Sequence, residues 1–252
     1  MHLQRMKKML ERPELVLVQL KRWFPWRALS QDKECAHLIM AWSSGALPRA
    51  PLASLFPGVQ EQDVLLRKPS SRTIGWSLDV QELAYLLAVM KLTKAERVLE
   101  IGTYDGFTTL NLAANLPCSG TVTTLDLPQE GGQEKLRKDG ISNATVPGIV
   151  GEKFTHETDG SKIRQVWGNS MTLDWSSLGG PFDLILIDGS HDYAYVKNDC
   201  QNALKNIKSG GTIFWHDYGQ ALGVSRAIDE FAAEHSVVVI AGTRFACLRA
   251  PQ

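Results

Sequence analysis

The chain has 252 residues, of which 44% are hydrophobic and 21% charged, and its 27 basic and 27 acidic side chains give a formal net charge of zero. This length suits one α/β domain with an appendage, and the composition is that of a globular protein. A neutral chain has no overall attraction to nucleic acid, so no nucleic-acid partner is expected. No stretch approaches 18 consecutive apolar residues, so no transmembrane segment is expected either. A reducing, cytoplasmic location is predicted from four single cysteines without metal-type spacing, namely Cys35, Cys118, Cys200 and Cys247.

Residues 1 to 75 differ in pattern from the rest of the chain and are predicted to form an N-terminal helical extension. Residues 1 to 30 combine basic side chains with several leucines, valines and tryptophans. A helix of this kind packs on its own domain or on a second subunit, or it lies on a membrane surface. The extension is therefore a candidate cap or dimerisation element, and we expect a homo-oligomer. Prolines between residues 46 and 57 predict a connecting loop there.

From residue 76 to the C-terminus, helical and strand patterns alternate. Ser77 is a predicted helix N-cap, and apolar residues follow at helical spacing as far as Met90. Other helices are predicted around Leu110–Leu116, at 195–207 and at 224–235. Strands are predicted at 97–101, 121–127, 165–167, 182–188, 212–215, 237–240 and 245–248, with a long loop at 128–163 and a turn at 208–211.

This alternation predicts the fold class. Strands that alternate with helices form a Rossmann-like, doubly wound and mostly parallel sheet, here of seven strands with a C-terminal antiparallel hairpin. Sheets of this class bind ligands outside the carboxyl ends of their strands, near the point where the strand order reverses. Polar residues at strand ends are therefore the candidate site residues.

The turn after the first predicted strand carries two glycines, in the segment Val98-Leu-Glu-Ile-Gly-Thr-Tyr-Asp-Gly-Phe-Thr-Thr109. Gly102 and Gly106 permit a sharp turn and a close approach of the backbone to a ligand. Glu100 can accept hydrogen bonds from a cationic or hydroxyl-bearing ligand, and the N–H groups that open the next helix favour a carboxylate. The spacing is GxxxG, not the GxGxxG of dinucleotide-binding folds, and a purely structural turn is the alternative.

Asp126 lies at the end of the second predicted strand, about 20 residues after these glycines. An acidic side chain at this position can bind both ribose hydroxyls of a nucleoside. The alternative is a solvated aspartate at a strand end. Together, Asp126 and the glycine turn indicate a ligand that contains a nucleoside.

The segment VLEIGTYDGFTTLNLA resembles the first motif of class I S-adenosylmethionine-dependent methyltransferases, and its Gly-x-Tyr-x-Gly turn is similar to that of the catechol-type O-methyltransferases. The resemblance implies a methyltransferase domain over residues 76 to 252 that binds S-adenosyl-L-methionine, with Asp126 on the ribose. It also implies that Asn169 and Ser170 lie near the adenine. The methionine end would be lined by Glu100, Gly102, Tyr104 and Gly106, and Thr103 and Thr108 would also bind the cofactor. The segment from Pro128 to Arg164 departs from the compact catechol-type pattern.

Two later strands also end in polar residues, one in Asp188 followed by His191 and the other in His216 and Asp217. If these strands are neighbours, their ends lie about 5 Å apart, and Asp188 and Asp217 face each other. Two close carboxylates repel unless a proton or a cation lies between them. Oxygen ligands of this kind suit Mg²⁺.

His191 is the candidate general base beside these carboxylates. Methyl transfer to an alcohol needs an oxygen nucleophile, which a bound cation and a nearby base can generate at neutral pH. An imidazole with a pKa near 6.5 suits this task. The alternatives are a carboxylate hydrogen-bonded to backbone for Asp188, a helix-cap histidine for His191, and a histidine donating to a carbonyl for His216.

The segments IDGSHDYAYVKND and SGGTIFWHDYG resemble the macrocin-type sugar O-methyltransferases. This resemblance implies Asp188 and Asp217 as metal ligands and His191 as the general base, with Asp188 also beside the cofactor. His216 stands where an acidic ligand is more usual. Asp188, His216 and Asp217 are thus the candidate set for Mg²⁺ or Mn²⁺, but histidine is a weaker Mg²⁺ partner, so the metal is expected to be Mn²⁺-like, weakly held or absent.

The expected function is S-adenosylmethionine-dependent O-methylation of a small hydroxylated acceptor, such as a sugar or a natural-product intermediate. One alternative is a metal-dependent relative that performs other chemistry on the same fold. Another is a non-catalytic subunit or sensor that binds S-adenosylmethionine. Nucleic-acid methylation is disfavoured by the neutral charge and by the lack of an Asn/Asp-Pro-Pro-Tyr type motif.

Overall fold

The computed structural model describes residues 47–67, 77–128 and 150–252. The predicted helix within residues 1 to 30 lies outside the described residues, as does the part of the predicted long loop from 129 to 149. The interpretations of the helix within residues 1 to 30 as a packed helix, a dimer contact or a membrane-surface helix therefore stay predictions.

The strands form one mixed sheet. In chain order they are β1 (Arg49–Ala50), β2 (Arg97–Ile101), β3 (Thr121–Asp126), β4 (Ile163–Trp167), β5 (Phe182–Ile187), β6 (Ile207–Trp215), β7 (Val238–Ile240) and β8 (Ala246–Arg249). Their order in the sheet is β1-β7-β8-β6-β5-β2-β3-β4. Strands β2 to β6 are parallel, whereas β8 is antiparallel to β6 and β7. The chain builds outward from β2 to β4 and then returns to β5, so the order reverses between β2 and β5.

Helices cover both faces of this sheet. They are α1 (Leu52–Leu55), α2 (Val80–Leu92), α3 (Phe107–Asn115), α4 (Tyr193–Asn206) and α5 (Leu222–Ala232), with 3-10 turns at Val59–Glu61, Thr158–Lys162 and Trp175–Leu178. Successive strand residues point to opposite faces, so Leu184 packs in the cluster with α2 and α3 and Ile185 in the cluster with α4 and α5. This two-sided burial explains the continuous apolar run of β5. Among the described residues, no helix has the length and apolar character needed to cross a membrane.

The sequence-based prediction missed β1 and α1, which occupy the segment expected to be a connecting loop. Pro51 does not break α1 but is its N-cap, a position where the missing N–H of proline costs no helical hydrogen bond. β1 pairs in parallel with β7. The sheet therefore has eight strands instead of the predicted seven.

Strand β6 extends through the turn that was predicted at residues 208 to 211. The pairing of β6 with β5 shifts register between Phe182 and Leu184, and Gly210 has a positive φ of 73°. Glycines that indicate a turn in sequence here serve a bulge that lets the ladder continue.

Helix α2 begins at a capping box. Its N-cap is Asp79 and not the predicted Ser77. The Glu82 N–H donates to Asp79 at 2.7 Å, and the Glu82 carboxylate accepts from the Asp79 N–H at 3.4 Å. The box fixes the position of the Glu82 side chain.

Part of the predicted N-terminal extension packs on helix α3. Asn115 and Asn111 each exchange two hydrogen bonds with one backbone residue, Leu65 and Arg67 respectively. These contacts hold residues 65 to 67 against the helix that follows the glycine turn. The domain boundary near residue 75 stays a prediction.

Candidate active site

The carboxyl ends of the central strands meet at one edge of the sheet. The Asp188 N–H donates to the Ile101 carbonyl at 2.8 Å, and the His216 N–H donates to the Ile187 carbonyl at 3.1 Å. These bonds continue the β2–β5 and β5–β6 ladders by one residue. Gly102, Asp188 and His216 therefore leave their strands at the same level.

The glycine turn has a conformation that depends on its glycines. Gly102, Tyr104 and Gly106 have positive φ values of 100°, 50° and 81°. A Cβ atom on Gly102 would lie 2.2 Å from the Asp188 carbonyl oxygen. Gly102 is thus required for two strand ends to approach each other, in addition to any role beside a ligand. Gly106 is the left-handed N-cap of α3.

Asp126 anchors this turn from the end of β3. Its Oδ2 accepts from the N–H groups of Thr103 and Tyr104 at 3.0 and 2.9 Å, and its Oδ1 accepts from the Leu127 N–H at 2.7 Å. Burial raises the pKa of Asp126, and the three backbone donors oppose that rise. The structure thus places Asp126 beside the glycine turn, as the sequence indicates, and gives it a second role in holding the turn.

Glu100 lies in the interior between α3 and β3. Its side chain accepts hydrogen bonds from the hydroxyl groups of Thr109 and Thr124, and the residue is 1% exposed. Burial, only partly offset by these hydrogen bonds, raises its pKa to about 8. The predicted place of Glu100 at the methionine end stays a prediction.

Asn169 and Ser170 lie just beyond the end of β4, with their side chains tied to α4. The Asn169 amide donates to the Tyr195 hydroxyl at 2.9 Å, and the Ser170 hydroxyl donates to Asp199 at 3.2 Å. Burial raises the pKa of Asp199 to about 7. Their predicted place near the adenine stays a prediction, as does the role of Thr108, which is buried in the first turn of α3.

The structure brings Asp188, His191 and Asp217 together. One possible ligand atom from each lies within 4.8 Å of the others. His191 Nε2 lies 2.9 Å from Asp217 Oδ2, and the His191 side chain is 57% exposed against 10% for Asp217. An accessible imidazole is therefore held by a largely buried carboxylate, as a general base requires.

His216 is buried between carboxylates. Its Nδ1 lies 3.0 Å from Asp188 Oδ1 and 3.4 Å from Asp217 Oδ1, and its Nε2 lies 3.0 Å from Glu82 Oε2. Carboxylates accept but do not donate, so this geometry favours an imidazolium that donates from both nitrogens. Burial opposes the charge, but the carboxylates hold the pKa of His216 well above its usual range.

The position of His216 changes the ligand set that the sequence indicates. Within the described parts of the chain, the three acidic or histidine side chains able to share an ion are Asp188, His191 and Asp217. The predicted set has His216 in place of His191. His216 directs both ring nitrogens at neighbouring carboxylates instead.

Arg244 and Glu82 complete the cluster, and the sequence-based prediction includes neither. Arg244 contacts Glu82 through its guanidinium at 2.6 and 3.1 Å and through its backbone N–H at 2.8 Å, and it contacts Asp217 at 3.0 Å. Burial opposes ionisation of Glu82, but His216 and Arg244 outweigh it and lower its pKa to about 2. Glu82 and Arg244 are 162 residues apart, and the capping box was the one local sign that Glu82 is fixed.

We expect Glu82→Gln to lower the free energy of unfolding at pH 7 by about 3 kcal/mol, because it leaves buried cations without their carboxylate. The folded-state pKa of Glu82 is depressed, so its stabilising contribution is present above pH 4.5 and is lost as pH falls toward about 2. The difference between wild type and variant should shrink over that interval. Urea unfolding followed by circular dichroism measures it.

The matched control for this prediction is Glu234→Gln, because Glu234 is exposed. Its substitution should change stability by less than about 0.5 kcal/mol. A loss below about 1 kcal/mol for Glu82→Gln at pH 7, as for a surface pair, would contradict the importance of the buried cluster.

Part of the chain is similar in sequence to known methyltransferases. Residues 99–218 match the family model described as "Methyltransferase domain". The chain is 26% identical over 197 residues to a caffeoyl-CoA O-methyltransferase of Populus kitakamiensis, a match that covers 72% of this chain and 73% of the relative. It is also 26% identical over 169 residues to a catechol O-methyltransferase of Mycobacterium tuberculosis, covering 63% and 70%.

A solved structure shows the same fold. The O-methyltransferase NovP matches 68% of this chain and 79% of its own, with a TM-score of 0.52 and 14% identity. The residues matched by the family model include the glycine turn, Asp126 and the cluster around Asp188 and Asp217. Residues 99–218 thus match a methyltransferase domain, and the chain is similar to the caffeoyl-CoA and catechol O-methyltransferases.

Proposed function

We propose that this enzyme methylates a hydroxyl group of a small molecule, such as a sugar or a natural-product intermediate, with His191 as the general base. The observation that carries the proposal is the 2.9 Å contact between His191 Nε2 and Asp217 Oδ2 at the carboxyl edge of the sheet. The names of the relatives, which are O-methyltransferases, support the choice of oxygen as acceptor.

The residues at this edge fit S-adenosyl-L-methionine, which when bound supplies an electrophilic methyl group on a sulfonium. Asp188 offers a carboxylate to the positively charged end of the cofactor. The N-terminus of α3 favours the carboxylate of the cofactor. Asp126 accepts three backbone hydrogen bonds, and a carboxylate has about four acceptor positions, so capacity remains for a ribose hydroxyl.

His191 has the geometry to remove the proton of the acceptor. When Nε2–H donates to Asp217, the neutral ring accepts a proton at Nδ1, and the Asp217 carboxylate stabilises the imidazolium that forms. The pKa of His191 is raised by its hydrogen bond to Asp217, against the effect of burial. The remaining contribution of the enzyme is to align the acceptor oxygen with the methyl group.

The divalent cation predicted from the sequence does not fit the charges around Asp188 and Asp217. Both carboxylates already contact His216, and Asp217 also contacts Arg244. Two unit charges about 4 Å apart interact by about 4 kcal/mol at an effective dielectric near 20, and a divalent ion doubles this repulsion. Mg²⁺ also prefers oxygen ligands, whereas the third side chain of the set is an imidazole. The proposed reaction therefore contains no metal step.

The pH dependence of turnover tests the role of His191. Because the base must be neutral, kcat/KM should rise with pH through the raised pKa of His191. Asp188, Asp217 and His216 face this ring. Asp217→Asn removes the hydrogen bond and the charge that raise the pKa, so its inflection should lie at lower pH. Profiles measured between about pH 5 and 9 check this, and an unchanged or higher inflection would contradict the assignment.

The acceptor is tested by transfer of a labelled methyl group from S-adenosylmethionine to a panel of catechols, phenols and sugars. An O-methyl product that is absent with His191→Gln supports the proposal. Binding of S-adenosylhomocysteine without methylation of any panel member would favour the non-catalytic subunit or sensor. A product methylated at nitrogen or carbon would favour other chemistry on this fold.

We further propose a cytoplasmic homo-oligomer with residues 1 to 75 as its cap or dimerisation extension. The location is supported by Cys118, Cys200 and Cys247, which are free thiols. Sedimentation of the full chain beside a chain lacking residues 1 to 46 tests the assembly. A monomeric full chain would overturn it.

A further inference from the structure

His216 lies at the centre of a buried ionic cluster at the edge of the active site. Its side chain is 1% exposed and joins Glu82 of α2 to Asp188 at the end of β5, with 3.0 Å at each contact. Its ring also packs edge-to-face with that of Phe245, with 5.4 Å between ring centroids. This packing supports a ring orientation in which Nδ1 faces Asp188 and Asp217 and Nε2 faces Glu82.

Arg244 holds the same carboxylates from the other side. It contacts Glu82 at 2.6 Å and Asp217 at 3.0 Å, and its Nη1 also donates to the Gln220 side chain at 3.0 Å. Asp217 therefore has a cation on Oδ1 from both His216 and Arg244, and its Oδ2 faces His191.

The charges of this cluster nearly balance without an added ion. The three carboxylates of Glu82, Asp188 and Asp217 face the two cations of His216 and Arg244, which leaves one negative charge. That negative charge is compensated when the His191 ring takes up the proton of the acceptor and becomes an imidazolium. A divalent ion at the same place would leave an excess of positive charge in a largely buried site, which is unfavourable.

We propose that His216 and Arg244 are built-in cations that take the place of the divalent metal implied by the macrocin-type resemblance. This inference rests on the proposed function, because the cations act through Asp217 and His191. They are positioning residues. They keep Asp217 ionised and oriented, so that His191 deprotonates the acceptor without a metal ion.

The proposal is tested by Mn²⁺ titration of the chelator-treated full chain, followed by electron paramagnetic resonance, with and without S-adenosylhomocysteine. Wild type should show no saturable Mn²⁺ site up to millimolar concentration. Stoichiometric binding in the micromolar range that Asp217→Asn abolishes would overturn the proposal. The titration of wild type needs no acceptor.

His216→Asp tests whether the imidazolium is what excludes the metal. The substitution removes a cation and adds a carboxylate beside Asp188 and Asp217, so the variant should gain one Mn²⁺ site. Its dissociation constant should lie at least tenfold below the millimolar limit up to which wild type shows no site. The matched control, His235→Asp, makes the same change at a half-buried histidine just beyond the end of α5, beside Phe231, and should gain none. A His216→Asp variant that binds S-adenosylhomocysteine but no Mn²⁺ would overturn the role given to His216.

The two levels of the proposal fail in different ways. If wild type did not bind S-adenosylhomocysteine, the proposed function would be contradicted. The Mn²⁺ titration tests independently whether His216 and Arg244 take the place of a metal. Where the acceptor panel gives a product, turnover should be the same in chelator and in Mg²⁺. Chelator-dependent loss of turnover that Mg²⁺ restores would overturn the metal-free inference and leave methyl transfer intact.

Discussion

Replacement of His191 with glutamine should lower turnover about 100- to 10,000-fold, the range expected for loss of a general base. Glutamine keeps a polar side chain of similar reach but cannot take up a proton at neutral pH. His191 is more than half exposed and contacts the cluster through Asp217, so the fold should be retained. Steady-state methyl transfer to the acceptor found in the panel measures the effect.

Two companion measurements make the His191 result specific. Affinity for S-adenosylhomocysteine should change by less than about twofold, because the loss is expected in the chemical step and not in cofactor binding. His235→Gln is the matched control and should keep wild-type turnover. If His191→Gln retained more than about a tenth of that turnover, another group would have to be the base.

Asp126→Ala should weaken S-adenosylhomocysteine binding about 100-fold, which corresponds to about 3 kcal/mol. Hydrogen bonds to a charged group contribute about 1.5 to 3 kcal/mol each, and the substitution removes the acceptor predicted for the ribose. It also removes the acceptor for the N–H groups of Thr103 and Tyr104. Calorimetric titration measures the affinity.

A second substitution separates these two contributions. Asp126→Asn keeps one side-chain oxygen for the N–H groups of Thr103 and Tyr104 but loses the charge and the acceptor for the Leu127 N–H. This variant should therefore lose less stability than Asp126→Ala and bind with intermediate affinity. Asp63→Ala, at an exposed aspartate, is the control and should bind as wild type does. Unchanged affinity in Asp126→Ala would contradict the placement of the cofactor beside the glycine turn.

The strand ends could be predicted because their signals are local. Each central strand is a short apolar run that ends in a glycine or an acidic residue, and parallel strands place such ends at one edge. The rule predicts that Asp188, His191 and Asp217 lie close together, and the structure confirms this proximity. The mostly parallel sheet with its antiparallel C-terminal strand is confirmed for the same reason.

The ionic cluster could not be predicted because it joins distant parts of the chain. Glu82 and His216 are 134 residues apart, and a glutamate in the first turn of a helix has a sufficient local explanation in its capping box. Nothing in the sequence tells whether His216 faces a metal or a carboxylate. That depends on Glu82 and Arg244, which reach it only after α2 and the C-terminal strands pack on the sheet.

Strand β1 and the extension of β6 were missed because the prolines and glycines in these segments are each compatible with two structures. Prolines stop a helix but also open one, as Pro51 does at α1. Glycines mark a turn but also a bulge, as Gly210 does in β6. Tertiary pairing decides between these structures.

The central claim, that the carboxyl edge of this sheet binds S-adenosylmethionine and needs no metal to do so, is tested most directly by calorimetry. Chelator-treated protein is titrated with S-adenosylhomocysteine, first without and then with Mg²⁺. We predict one site per chain with micromolar affinity that is the same in both titrations. Absence of binding in both would contradict the cofactor site, and binding that appears only with Mg²⁺ would contradict the role given to His216 and Arg244.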